Sequence, residues 1–142
     1  HRNHLRAINA VRRAGGIRAA IDAGLLTHGV MHACVTCGVP FVLAGSIRDD
    51  GPLPDTITDV VQATDAMRDH LSDVEFALVV ASTLHAIATG NILPAATRMV
   101  VVDINPASLT KLMDRGSYQT VGVVSDSGLF LRQLVECLEK EC

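Results

Sequence analysis

The chain has 142 residues, 49% of them hydrophobic, with 19% charged residues and a formal charge of −3. That apolar content supports one packed core and excludes a disordered chain, while a slightly acidic balance with 3% aromatics and no Trp excludes a general nucleic-acid binder or a stacking platform for single strands. Its apolar runs fall far short of the roughly 20 residues a membrane helix needs, and four cysteines are too few for a disulfide scaffold, so a cytoplasmic protein with free thiols is expected.

From its start at His1-Arg2-Asn3-His4, the chain carries five arginines and no acid over 18 residues, and it reads as a piece of something longer. This stretch predicts helix, broken at Gly15-Gly16 and again at Gly24. His28 and His32 then precede Cys34-Val-Thr-Cys37, which has zinc-like spacing. A second matching pair is missing, because Cys137 and Cys142 stand at the far end with the wrong spacing, so no metal is expected.

Four apolar, β-branched runs predict strands: Pro40–Ala44, Phe76–Val80, Met99–Asp103 and Thr120–Val124. None alternates polar with apolar, as expected of strands buried on both faces. Between the first two, Ile57, Val60, Val61, Thr64, Met67 and Leu71 repeat at helical spacing, with Thr56 or Thr58 as the expected cap. The stretch from Asp49 to Glu75 holds eight acids against Arg68 alone, and reads as a solvated helix face. Asn105-Pro106 starts another helix, with proline at its first position and Gly116 beyond its end. Leu131, Leu134, Val135 and Leu138 mark a last helix after Asp126 and Ser127. Strand and helix alternate, which predicts an α/β fold: a parallel, Rossmann-like sheet with right-handed crossovers and helices on both faces.

In such a sheet, ligands bind outside the carboxyl ends of the strands. The residues expected there are polar: Gly45 to Asp55 with Arg48, Asp49 and Asp50; Ser82-Thr83-Leu84-His85; Asp103-Ile104-Asn105; and Ser125-Asp126-Ser127-Gly128. Ser82 and Thr83 suit a pyrophosphate at a helix start, or a plain cap. Asp103 suits both hydroxyls of an adenosine ribose and would repel a 2′-phosphate, which favours NAD over NADP; its rival role is to cap the Pro106 helix, for which Asn105 is better placed. Asp126 has the opposite balance, since Asp before a helix is a common cap. His85 is either a group that orients an amide or moves a proton, or a packing residue. The charged loop is either functional or a solvated turn with an internal Arg–Asp pair. The glycine fingerprint G-x-G-x-x-G, the P-loop and the G-x-S-x-G elbow are all absent from the sequence.

Longer motifs carry a resemblance. Val42-Leu-Ala-Gly-Ser-Ile-Arg-Asp-Asp-Gly-Pro-Leu-Pro-Asp55, Leu84-His85 with Gly90-Asn91 and Leu93-Pro94, Val102-Asp-Ile-Asn-Pro106 with Lys111 to Gly116, and Gly122-Val-Val-Ser-Asp126 with Gly128-Leu-Phe-Leu131 closely resemble one group. It is the archaeal-type ornithine cyclodeaminases, also labelled lysine-oxoglutarate reductase/saccharopine dehydrogenase-like proteins, which form the C-terminal region of cyanobacterial arginine dihydrolase fusions. The resemblance runs from Asn3 to about Glu139.

It implies an NAD-binding domain similar to that of deoxyhypusine synthase, which holds NAD without the standard fingerprint. By position, the implied NAD contacts are Asp50, Ser82, Thr83, Leu84, His85, Asp103, Asp126 and Ser127. Relatives usually have Thr at position 82 and Met at 83, where this chain has Ser and Thr. The implied reaction converts L-ornithine to L-proline and ammonia: NAD takes a hydride from the amine-bearing carbon, the imine closes with loss of ammonia, and the cyclic imine is reduced by the same NADH. No general acid or base is assigned within the chain. Relatives have a substantial region before the equivalent of His1, so a single NAD-binding domain lacking that region is expected. Its expected partners are an amino-acid substrate, further copies in a homo-oligomer, and a separate chain carrying the missing region. A saccharopine-type dehydrogenase domain and a non-catalytic nucleotide-binding or assembly module are the alternatives.

Overall fold

The computed structural model describes residues 1–45, 51–80, 83–114 and 120–141. Its residues group into two compact units, His1–Met67 and Arg68–Cys142.

The first unit opens with helices α1 (Arg2–Ala14), α2 (Ile17–Asp22) and α3 (Val30–Thr36), divided where the glycines predict. Gly15, at φ 99°, ends α1 and donates its amide to the Val11 and Arg12 carbonyls, a left-handed cap that glycine adopts without a Cβ penalty. Gly16 is buried at φ 145°, and a Cβ there would stand 2.9 Å from both carboxylate oxygens of Asp55. The closeness has a function in the fold: the Ile17 amide, an orphan donor of the first turn of α2, donates to Asp55 Oδ2 at 2.8 Å. Asp55 is thus a remote cap, and Arg12 Nε holds the same segment by donating to the Pro52 carbonyl. Ile17 and Ala20 fill the core beneath this clamp.

The run Pro40–Ala44 does not form the expected strand. Among the described residues it makes one parallel bridge, Ala44 with Ile57, through Ile57 N to the Leu43 carbonyl and Gly45 N to the Ile57 carbonyl, both 2.8 Å. A strand needs a ladder on at least one side, and a single bridged residue does not extend into one. The bridge also consumes Ile57, so helix α4 (Val60–Leu71) starts later than its periodicity predicts. Its cap is Asp59, whose Oδ1 accepts from Gln62 N at 2.8 Å, and not Thr56 or Thr58.

The second unit holds the other three predicted strands, β1 (Phe76–Val80), β2 (Arg98–Asp103) and β3 (Thr120–Val124), paired in parallel in that order. Helix α5 (Thr83–Ile92) joins β1 to β2, α6 (Pro106–Met113) follows β2, and α7 (Ser127–Glu141) follows β3. Thr97 starts the ladder from inside: its hydroxyl donates to the Val74 carbonyl at 2.7 Å, and Arg98 N donates to the Glu75 carbonyl at 2.9 Å. Because side chains alternate across a strand, Ala77, Val79, Met99 and Val101 share one face, where Ala86 of α5 and Leu109 and Leu112 of α6 pack on them. Val102 belongs to the opposite face and is fully buried, and α7 packs against β2.

The clamp in the first unit yields a testable expectation. Asp55→Ala should cost about 1 kcal/mol, the usual loss for a helix cap, and Gly16→Ala about 1–3 kcal/mol from backbone strain. Urea unfolding of both single variants and the double variant checks the contact, since removing the carboxylate makes room for the methyl group and the double variant should lose less than the sum.

Candidate functional site

Parallel pairing puts the carboxyl ends of β1, β2 and β3 on one edge, and α5, α6 and α7 all start from it. Three helix N-termini therefore direct their positive dipole ends at the same border of the sheet. Along it stand six of the eight predicted contacts: Thr83, Leu84 and His85 in the first turn of α5, Asp103 at the end of β2, and Asp126 and Ser127 at the start of α7. Asp50 and Ser82 lie outside the described residues, as do Arg48 and Asp49.

The middle of the edge is a chain of hydrogen bonds within one turn. Asp103 Oδ1 accepts from Asn105 N at 2.8 Å. Asn105 Oδ1 in turn accepts from Ala107 N at 3.0 Å, and its carbonyl accepts from Ser108 N at 3.1 Å. Asn105 is thus the cap of α6, with Pro106 at the first helical position. Asp103 is free of capping duty, half-buried, and engaged through one carboxylate oxygen by the turn. Neighbouring β3 joins in, as Ser125 N donates to the Asp103 carbonyl at 3.2 Å.

Asp126 takes the capping role: Oδ1 accepts from Leu129 N at 2.9 Å, and the carbonyl accepts from Phe130 N at 3.0 Å. Each carboxylate thus accepts one backbone amide through one oxygen, Asp126 as a helix cap and Asp103 within the turn before one. The start of α5 is tied to α6 by side chains, with Thr83 Oγ1 and Ser108 Oγ hydrogen-bonded at 3.1 Å. Two exposed apolar residues stand beside these polar groups, Leu84 at 52% and Ile104 at 70% exposure. Ser108 and Ile104 are absent from the predicted contacts. Ile104 is flagged by its place directly after the carboxylate at a strand end; the Thr83–Ser108 bond spans 25 residues, and local spacing gives no sign of it.

Cys34 is half-buried and Cys37 and Cys137 are exposed. Among the described residues, no three His, Cys, Asp or Glu side chains come together as a metal site would require. No helix among them is long and apolar enough to cross a membrane.

With that geometry in hand, comparison with known proteins is decisive. Residues 1–134 match the family described as arginine dihydrolase ArgZ-like, C-terminal, Rossmann fold. The chain belongs to this family. It is 56% identical over 140 residues to an ornithine cyclodeaminase of Methanocaldococcus jannaschii, a match covering 99% of this chain and 33% of that protein. The crystal structure of a conserved LOR/SDH protein from Methanococcus maripaludis superposes with a TM-score of 0.91 at 48% identity, over 99% of this chain and 42% of that one. The ternary complex of AgrE with ornithine and NAD+ superposes with a TM-score of 0.91 at 52% identity, over 100% of this chain and 21% of that one. The chain thus spans about a third of the length of the curated ornithine cyclodeaminase it matches.

The two acceptors of the β2–α6 turn should separate on substitution. Asn105→Ala removes the α6 cap and should lower stability by about 1 kcal/mol. Asp103→Asn keeps an oxygen for the Asn105 amide and should leave stability nearly unchanged. Chemical denaturation of both variants measures the difference.

Proposed function

We propose that this chain is the NAD-binding portion of an ornithine cyclodeaminase, a single Rossmann-like domain working in a homo-oligomer with a further polypeptide region that completes the substrate site. The observation that carries the reading is the shared edge on which the Asp103 carboxylate stands between helix N-termini tied by Thr83 and Ser108. The donor set fits the cofactor. First-turn amides suit a pyrophosphate; a carboxylate with one oxygen held by a backbone amide suits a pair of ribose hydroxyls and repels a 2′-phosphate. Exposed Ile104 supplies apolar surface for a planar base. Asp50, Ser82, Thr83, Leu84, His85, Asp103, Asp126 and Ser127 would hold the dinucleotide.

When bound, NAD supplies the acceptor and donor of a hydride. The part of this chain is to fix the orientation of the nucleotide at the strand ends and keep water from it. The named activity of the Methanocaldococcus jannaschii relative and the ornithine and NAD+ of the AgrE complex support ornithine as the substrate. The LOR/SDH name of the Methanococcus maripaludis protein keeps a saccharopine-type dehydrogenase as the second reading.

Calorimetric titration should give tighter binding of NAD than of NADP, and equal or tighter NADP binding overturns the assignment. Asp103→Asn should weaken NAD by about 1–3 kcal/mol, the scale for losing a charged hydrogen-bond partner. The reaction class is tested in a chimera where this chain replaces its matching segment in the Methanocaldococcus jannaschii enzyme. Proline should form from ornithine with no net NADH, whereas accumulating NADH favours the dehydrogenase.

A further inference from the structure

The contact between Thr83 and Ser108 joins the first residue of α5 to the third of α6, two helices that start from adjacent strands of the sheet. Both residues are half-buried, and their hydroxyl oxygens are 3.1 Å apart. Ser108 is held firmly at its base. Ser108 N donates to the Asn105 carbonyl, Asn105 caps α6 through its side chain, and the Asn105 amide is bonded to Asp103 Oδ1. One continuous run of hydrogen bonds therefore leads from the carboxylate at the end of β2 to the hydroxyl at the start of α5.

A hydroxyl has one proton and two lone pairs. Thr83 Oγ1 and Ser108 Oγ share one hydrogen bond, which fixes the Thr83 hydroxyl and leaves part of its donor and acceptor capacity for a ligand. Without Ser108 the Thr83 hydroxyl would lose the partner that orients it. Held in this way, the Thr83 hydroxyl can meet a polar group of the nucleotide, such as a ribose hydroxyl or the carboxamide. The first-turn amides of α5 remain for the phosphates.

We propose that Ser108 is a positioning residue of the nucleotide site: it fixes the orientation of the Thr83 hydroxyl and sets the start of α5 against the Asp103 turn. This rests on the reading of the strand edge as the NAD site. Ser108 does not touch the reacting atoms; it acts through Thr83.

The test is NAD titration by calorimetry with the full chain and with Ser108→Ala, Ser108→Thr, Thr83→Val and the Ser108→Ala/Thr83→Val double variant, each paired with a thermal melt. Ser108→Ala should weaken NAD about 5- to 10-fold, the equivalent of one ordinary hydrogen bond, with the melting temperature nearly unchanged. Ser108→Thr keeps the hydroxyl and should restore the affinity to within about two-fold. In the Thr83→Val background, Ser108→Ala should have almost no further effect, because the group it positions is gone. A lowered melting temperature with unaltered NAD affinity for Ser108→Ala, or full additivity in the double variant, overturns the proposal while leaving the edge as the NAD site. Failure of the unaltered chain to bind NAD overturns both.

Discussion

Parallel pairing on both sides of β2 is the constraint from which the polar edge at the strand ends follows. Met99 to Asp103 pair with Thr120 to Val124 on one side, and Arg98 to Val102 with Phe76 to Val80 on the other. A strand paired on both sides and covered on both faces has no polar exposure to lose, which is why β2 reads as an unbroken apolar run and why Val101 and Val102 are the most completely buried of its residues. Because the direction of all three strands is the same, every strand-to-helix turn falls at one end. The chemistry is brought together there by topology before any side chain is chosen.

The division of labour between Asp103 and Asp126 then comes from the turns that hold them. Both are aspartates just before a helix, and propensity alone treats them alike. At β2–α6 the chain has Asn105 one residue before the helix, so the capping bond goes to the amide side chain and Asp103 sits further back, bonded to the turn itself. At β3–α7 no such residue intervenes, and Asp126 caps directly. A carboxylate that closes a turn through one oxygen keeps its charge at the sheet edge at little cost to the fold, which is the condition a ligand-binding acid has to meet.

Much of this could be read from sequence where the signal is local. The runs at Phe76, Met99 and Thr120 become strands, Asn105-Pro106 becomes a capped helix start, and Gly15-Gly16 divides two helices, because each depends on neighbours within a few residues. Features set by distant partners were not legible. The run at Pro40 is as apolar as the others but holds one β-branched residue, Val42, where they hold two to four; among the described residues it gains only the Ala44–Ile57 bridge, and strand formation depends on what pairs with it. That same bridge displaces the start of α4 from the Thr56 or Thr58 cap to Asp59. The Asp55 cap on Ile17, 38 residues away, and the Thr83–Ser108 bond are equally beyond any local pattern.

The missing glycine fingerprint has a physical counterpart in the fold. In the common dinucleotide motif one glycine allows close packing of helix against strand, and another lets backbone approach the pyrophosphate. Here a glycine for close packing stands inside β3: a Cβ on Gly122 would lie 2.7 Å from Met113 Sδ and 3.5 Å from Leu109 Cβ, both on α6. Glycine in a strand interior costs stability and marks a close approach of neighbouring structure. The cost is accepted where it seats α6, the helix that carries Ser108 and is capped by Asn105, down onto the sheet beside β2. Gly122 thus leaves room on β3 for the Met113 side chain of α6, while the start of α5 is held by a side-chain bond between hydroxyls.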